Sequence, residues 1–353
     1  MNRREFIVGT SAGALSLSSF AEVPEFFKEK HMGIVVHSYG NRWNSKIESK
    51  KYPGFQNAIE LIEHCQAIGA GGIQVGVRDW SLDFAKKVRD QREKSGLYLE
   101  GSIGLPKKAE DVSKFEQDVI NAKEAGAVVL RTVASSGRRY EVFHSKEAFQ
   151  EAFKNALASL QLAEPVARKH KVKIAVENHK DWRATELVDI IKKLDSEWIG
   201  VTLDFGNSMA LLEDPMDVVQ TLVPYIFSTH VKDMGVAEYP DGFLLSEVPL
   251  GKGILDLRKI IASCREHNPD VTFNLEMITR DPLEIPCLKA DYWETFEGTS
   301  GSELARMLRM VRQKNYKDGL PRTSQLTPEE RLAAEEENIL SCLTYSENNL
   351  GLK

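Results

Sequence analysis

The fold class this sequence predicts is α/β: a (β/α)8 TIM barrel followed by a C-terminal helical extension. Three observations lead there. Between Met32 and Gln313, eight short apolar runs alternate with eight stretches of helical spacing, which is the count of a barrel closed from strand–helix units. Four of those runs, all in the second half, end on a residue able to bind a metal: Glu177, Asp204, His230 and Glu276. No glycine-rich dinucleotide fingerprint follows the first strand, which argues against the common doubly wound alternative.

The elements follow in order. Met32–Ser38 is the first strand, with His37 near its end, and 56–69 is a helix with apolar positions Ile59, Leu61, Ile62, Cys65 and Ile68 closed by glycine. Residues 72–77 form the second strand, followed by Arg78, Asp79 and Trp80; Ser81 caps a helix ending at Gly96. The third strand, 98–105, carries Glu100, and the fourth, 127–133, carries Arg131, with a helix over 111–125 between them. A long helix over 145–171 contains Pro165, which predicts a kink. The fifth strand, 173–177, delivers Glu177; a helix over 185–194 and the sixth strand, 199–204, deliver Asp204. Asp214-Pro215 opens the next helix as N-cap and first residue. The seventh strand, 226–230, delivers His230, a long loop is expected over 234–253, and a helix over 256–267 leads to the eighth strand, 271–276, and Glu276. A last barrel helix spans 302–313.

The flanks differ from this core. Residues 1–21 have paired arginines (Arg3, Arg4), a short apolar run rich in small residues and a small-x-small site at Ser19-Phe-Ala21. That pattern predicts a twin-arginine-type export signal and a periplasmic or exported protein. The run is too short for a stable membrane span. Residues 316–353 form a polar linker and a short helix opened by Thr327-Pro328; Leu332, Ile339 and Leu340 would dock it on the barrel or on a second copy in a homo-oligomer. The net charge of −6 offers no electrostatic footprint for nucleic acid. Four widely spaced cysteines (65, 264, 287, 342) suggest neither a disulfide framework nor a zinc knuckle.

The four strand ends carry the chemistry. A buried parallel strand reads as an apolar run, so an acid at its end needs a partner. Spacings of 27 and 26 residues separate Glu177, Asp204 and His230, about one strand–helix unit each, and 46 separate His230 from Glu276. All four therefore sit at the C-terminal mouth, where barrel active sites are built. Three carboxylates and one imidazole suit one divalent ion, Mn2+ first, with Mg2+, Co2+ and Zn2+ as alternatives.

Val176-Glu-Asn-His179, Leu203-Asp-Phe-Gly-Asn207, His230-Val-Lys-Asp233, Leu250-Gly-Lys-Gly-Ile-Leu-Asp256 and Leu275-Glu276 together resemble the xylose isomerase-like barrels of the sugar phosphate isomerase/epimerase branch. The resemblance covers 32–315. It implies a metal held by Glu177, Asp204, His230 and Glu276, and a small carbohydrate substrate. It also implies a role for Asp233 at or beside the metal site. Asn207 stands where epimerases of the branch often have histidine, and the stretch after His230 lacks their usual arginine. Glu177 and Glu276 would face each other across the ion as base and acid, moving a proton next to a carbonyl. Epimerisation, isomerisation and elimination from a 3-keto-glycoside all follow from that step. His37, His179, Asn207, Lys232, Asp233 and Trp80 are candidate substrate contacts; Trp80 and Trp182 could stack on a ring or pack a loop, Lys232 could meet a substrate oxygen or water, and Glu100 and Arg131 could pair internally. An endonuclease IV-like phosphodiesterase would need more metal ligands and a basic groove. A non-catalytic sugar-binding barrel would have no use for clustered acids.

Overall fold

Eight parallel strands close on themselves with helices outside. The computed structural model describes residues 32–352 apart from positions 44, 136, 297 and 318, so the expected export segment, 1–21, lies outside the described residues. In chain order the elements are β1 (Gly33–Val35), α1 (Ala58–Ala67), β2 (Gly72–Gly76), α2 (Leu82–Ser95), β3 (Tyr98–Ser102), α3 (Val112–Glu124), β4 (Val129–Thr132), α4 (Arg139–Val142), α5 (Lys146–His170), β5 (Lys173–Glu177), α6 (Ala184–Leu194) and β6 (Ile199–Asp204). Then come α7 (Pro215–Leu222), β7 (Ile226–Val231), β8 (Asp233–Tyr239), β9 (Gly242–Val248), α8 (Leu257–His267), β10 (Thr272–Leu275), β11 (Leu283–Ile285), α9 (Gly301–Gln313) and α10 (Pro328–Tyr345). Around the barrel the order is β1-β10-β7-β6-β5-β4-β3-β2.

Local chemistry starts and stops these elements as the sequence indicates. Asn57 accepts from the Ile59 and Glu60 amides to start α1, and Ser81 and Ser145 do the same for Phe84 and Ala148 in α2 and α5. Gly96 ends α2 in the left-handed region at φ 69°. The strands are buried on both faces, β6 along its whole length, because helices cover the outside and side chains fill the inside. Side chains alternate in and out with a period of two. Ser228 and His230, Thr202 and Asp204, and Asn274 and Glu276 are therefore pairs that share a face.

Three expectations are corrected. The first strand stops at Val35, and Val36–Tyr39 form a 3-10 turn that places His37 over the mouth. The stretch expected as a long loop is a hairpin: β8 and β9 pair antiparallel and β11 adds to β9, a three-stranded sheet beside the barrel mouth. Its signal was legible, since Pro240-Asp241-Gly242 is turn chemistry set between alternating apolar residues (Met234, Val236; Phe243, Leu245). The C-terminal helix is longer than expected and docks on the barrel through Leu332, Ile339 and Cys342, whereas Leu340 is 40% exposed. Among the described residues no helix is long and apolar enough to cross a membrane.

Candidate active site and metal centre

Glu177, Asp204, His230 and Glu276 meet at the C-terminal mouth. One ligand atom from each lies within 4.8 Å of the others, and all four side chains are buried. Strand register brings them there: Asp204 on β6 stands opposite His230 on β7, and the Glu276 amide donates to the Val231 carbonyl at 2.9 Å. His230 Nδ1 faces Glu276 Oε1 at 3.5 Å, Glu177 Oε2 at 3.6 Å and Asp204 Oδ2 at 3.8 Å. It makes no hydrogen bond there. Its other nitrogen, Nε2, lies 2.8 Å from Gln74 Oε1. Gln74 in turn donates to Glu100 Oε2 at 2.9 Å. An amide oxygen can only accept, so Gln74 keeps a proton on Nε2 and turns Nδ1 toward the cluster, where a cation would take the place of any proton on it.

Each carboxylate has its own holder. Arg131 donates to Glu177 Oε2, through Nε at 2.6 Å, and Asn207 Nδ2 donates to Oε1 at 2.9 Å. Lys232 Nζ donates to Glu276 Oε2 at 2.6 Å, while His37 Nδ1 lies 3.0 Å from Oε1. Asp204 Oδ1 accepts from the Gly206 and Asn207 amides; its buried Oδ2 accepts no hydrogen bond, though Lys232 Nζ stands 2.7 Å away as a counter-charge. Burial opposes charge on Glu177 and Glu276, yet both stay well below the usual carboxyl range, the first through Arg131 and His230, the second through Lys232 and His230. Burial pushes Asp204 up to about 6 against the pull of Lys232. On His230 burial disfavours charge, but Glu276 and Glu177 push its pKa up to about 10.

This donor set fits a divalent ion. Three buried carboxylates outnumber the two side-chain cations paired with them, Arg131 and Lys232, which leaves room for a further positive charge. The two buried atoms that make no hydrogen bond, His230 Nδ1 and Asp204 Oδ2, both point into the space the four residues share. Oxygen-rich ligands with one imidazole match Mn2+, Mg2+ or Co2+ chemistry.

Of the remaining candidates, His37 is at the mouth with its side chain 47% exposed. Asn207 is inside, bridging Glu177 and the ammonium groups of Lys180 and Lys232. His179 is half-buried beside the cluster, kept neutral by burial, which brings it down to about 4, and its Nδ1 has no partner. Lys232 is corrected: it is neither solvated nor free for substrate but pairs with Asp204 and Glu276 at 1% exposure. Asp233 is corrected too. Both of its oxygens are occupied by the amides of Met234, Gly251, Gly253 and Leu255, so it staples the loop after β9. Trp80 is half-buried and packs edge-on against Phe84, whereas Trp182 is wholly buried between Phe149 and Phe153 and serves packing. Glu100 and Arg131 do not pair; Glu100 accepts from Gln74, Ser228 and Asn274 one layer deeper.

Sequence reasoning missed Gln74 and Lys180. Gln74 is the polar residue inside an otherwise apolar second strand, and that was the available signal.

Residues 95–295 match the family described as xylose isomerase-like TIM barrel. The chain belongs to that family. Among curated proteins, a 3-oxo-isoapionate decarboxylase of Pectobacterium atrosepticum is 23% identical over 271 residues, 74% of this chain and 92% of the relative. Among solved structures, a D-psicose 3-epimerase in the presence of D-fructose superposes with a TM-score of 0.55 at 16% identity, covering 80% of this chain and 97% of the other. The 3-keto-D-glucoside 4-epimerase YcjR of E. coli does so at 0.53 and 15% identity, covering 79% and 99%. These two likenesses establish the shared barrel.

Proposed function

We propose that this xylose isomerase-like barrel is a divalent-metal-dependent enzyme that moves a proton next to the carbonyl of a keto-sugar, as an isomerase or epimerase. The observation that carries the reading is the convergence of Glu177, Asp204, His230 and Glu276 with His230 Nδ1 turned inward and unpartnered. A bound ion supplies Lewis acidity, polarising the carbonyl so that the neighbouring C–H loses its proton more easily. Glu177, kept ionised by Arg131, is placed to accept that proton. Glu276, ionised at rest, relays one in the other direction, and half-exposed His37 at 3.0 Å connects it to solvent as the source of that proton. Asn207 and Arg131 hold Glu177 in place so that no reorientation is needed during transfer.

A second reading keeps the site and changes the bond that breaks. The decarboxylase relative favours loss of a carboxyl group beside the carbonyl, where the electron pair left on carbon is stabilised in the same way. Either reading requires protonation at carbon. The test is deuterium incorporation, followed by NMR in D2O, on a panel of ketoses, 3-keto-glycosides and keto-sugar acids. Exchange next to the carbonyl that is lost with chelator and falls at least about 100-fold in Glu177→Gln and Glu276→Gln is expected. A stereoisomer accumulating identifies an epimerase, and carbon dioxide identifies the second reading. Exchange that survives both substitutions contradicts the proposal. Mn2+ remains the ion we propose, and export through residues 1–21 the location.

A further inference from the structure

Lys180 stands three residues past Glu177, just beyond the end of β5, and is 3% exposed. Its Nζ donates to Asn207 Oδ1, the same oxygen that Lys232 Nζ approaches at 3.4 Å. Every other cation around this mouth has an acid. Lys232 has Asp204 and Glu276, Arg131 has Glu177, and Arg280 grips both oxygens of Glu247 through Nε and Nη2. Lys180, among the described residues, forms no ion pair with a carboxylate. A buried ammonium is costly unless an anion answers it. Burial first, then the like charge of Lys232, brings Lys180 down to about 8, as expected of a cation short of counter-charge.

We propose that Lys180 receives a carboxylate of the substrate, so that the keto-sugar taken here is a sugar acid. This rests on the function proposed above and names its substrate class. One unanswered charge matches a monoanion. A phosphate dianion would call for a second free cation, and Arg280 is already held by Glu247.

The test compares two probes that share a ketone and differ at the far terminus: 5-keto-D-gluconate, with a carboxylate there, and L-sorbose, with a CH2OH. Affinities are measured by calorimetry on the metal-loaded full chain. The acid should bind about 10- to 100-fold more tightly, the worth of one charge-assisted hydrogen bond. Lys180→Met should bring that ratio close to one, whichever way the separate affinities move, and Lys180→Arg should keep most of it. Retained metal content and an unchanged circular dichroism spectrum show that the variants are folded. Equal binding of the two probes by the wild type, or a ratio unaffected by Lys180→Met, overturns the inference. So does D-fructose 6-phosphate binding more tightly than the acid through Lys180. Deuterium exchange on L-sorbose with no preference for the acid sinks the inference and leaves the proposed function standing. A wild type that binds no divalent ion sinks the function instead.

Discussion

At position 74 a leucine would fill nearly the same space but accept nothing from His230. The Nε2 proton would lose its 2.8 Å partner, and the ring would be free to present either nitrogen to the cluster. We expect Gln74→Leu to weaken metal binding about 10- to 100-fold with all four ligands intact. Titration against a chelating dye checks this, and unchanged affinity would mean that Gln74 does not set the tautomer. The four ligands were legible because an acid or histidine closing an apolar strand is out of place chemically. Their supports were less so. Lys232 reads as a surface lysine until the two-residue period is carried one step past β7; it then shares a face with His230 and must point into the barrel. The same period places Arg131 and Glu100 inside, but at different heights, and height within a barrel depends on the stagger between strands. A single sequence does not state that stagger, so the expected Glu100–Arg131 pair became two separate networks.

The loop after β9 is tied to the start of β8 by one side chain. Asp233 accepts four backbone amides at 2.9–3.1 Å, and Gly253 is so close that a Cβ there would lie 2.1 Å from Asp233 Oδ1. Asp233→Ala should cost about 2–4 kcal/mol of stability, because it leaves buried amides without acceptors, while the metal site keeps its ligands. Urea unfolding alongside a metal assay separates the two; loss of metal with full stability would restore Asp233 to the site. The β8–β9 hairpin went unforeseen because barrel reasoning expects helices, not strands, between strands. The turn signal at Pro240-Asp241-Gly242 was present and outweighed by that expectation. The C-terminal helix shows the opposite case. Its capping box, Thr327 with Glu330, announced its start, but nothing local showed that Glu335 would accept the Asn41 amides and the Arg42 backbone amide at 2.7–3.1 Å. That contact joins sequence positions almost 300 apart and fixes the turn bearing His37.

Across the whole molecule, the barrel and the ion support one another. Strands β5, β6, β7 and β10 each contribute or deliver one ligand, so a divalent ion ties half the barrel together. Chelation should lower the melting temperature of the metal-loaded protein by several degrees, since an ion at about a hundredfold its Kd adds about 2.7 kcal/mol; a calorimetric scan with and without chelator checks this. The fold class was legible in full from the alternation of strands and helices. The reaction was not, because isomerisation, epimerisation and decarboxylation all start from the same polarised carbonyl and are separated by substrate contacts that lie on loops. The most direct test of the central claim is anomalous scattering from a Mn2+-soaked crystal, recorded at the manganese edge. The account predicts one strong peak bonded to Glu177, Asp204, His230 and Glu276. No peak among those four residues, or a peak held by others, would contradict it.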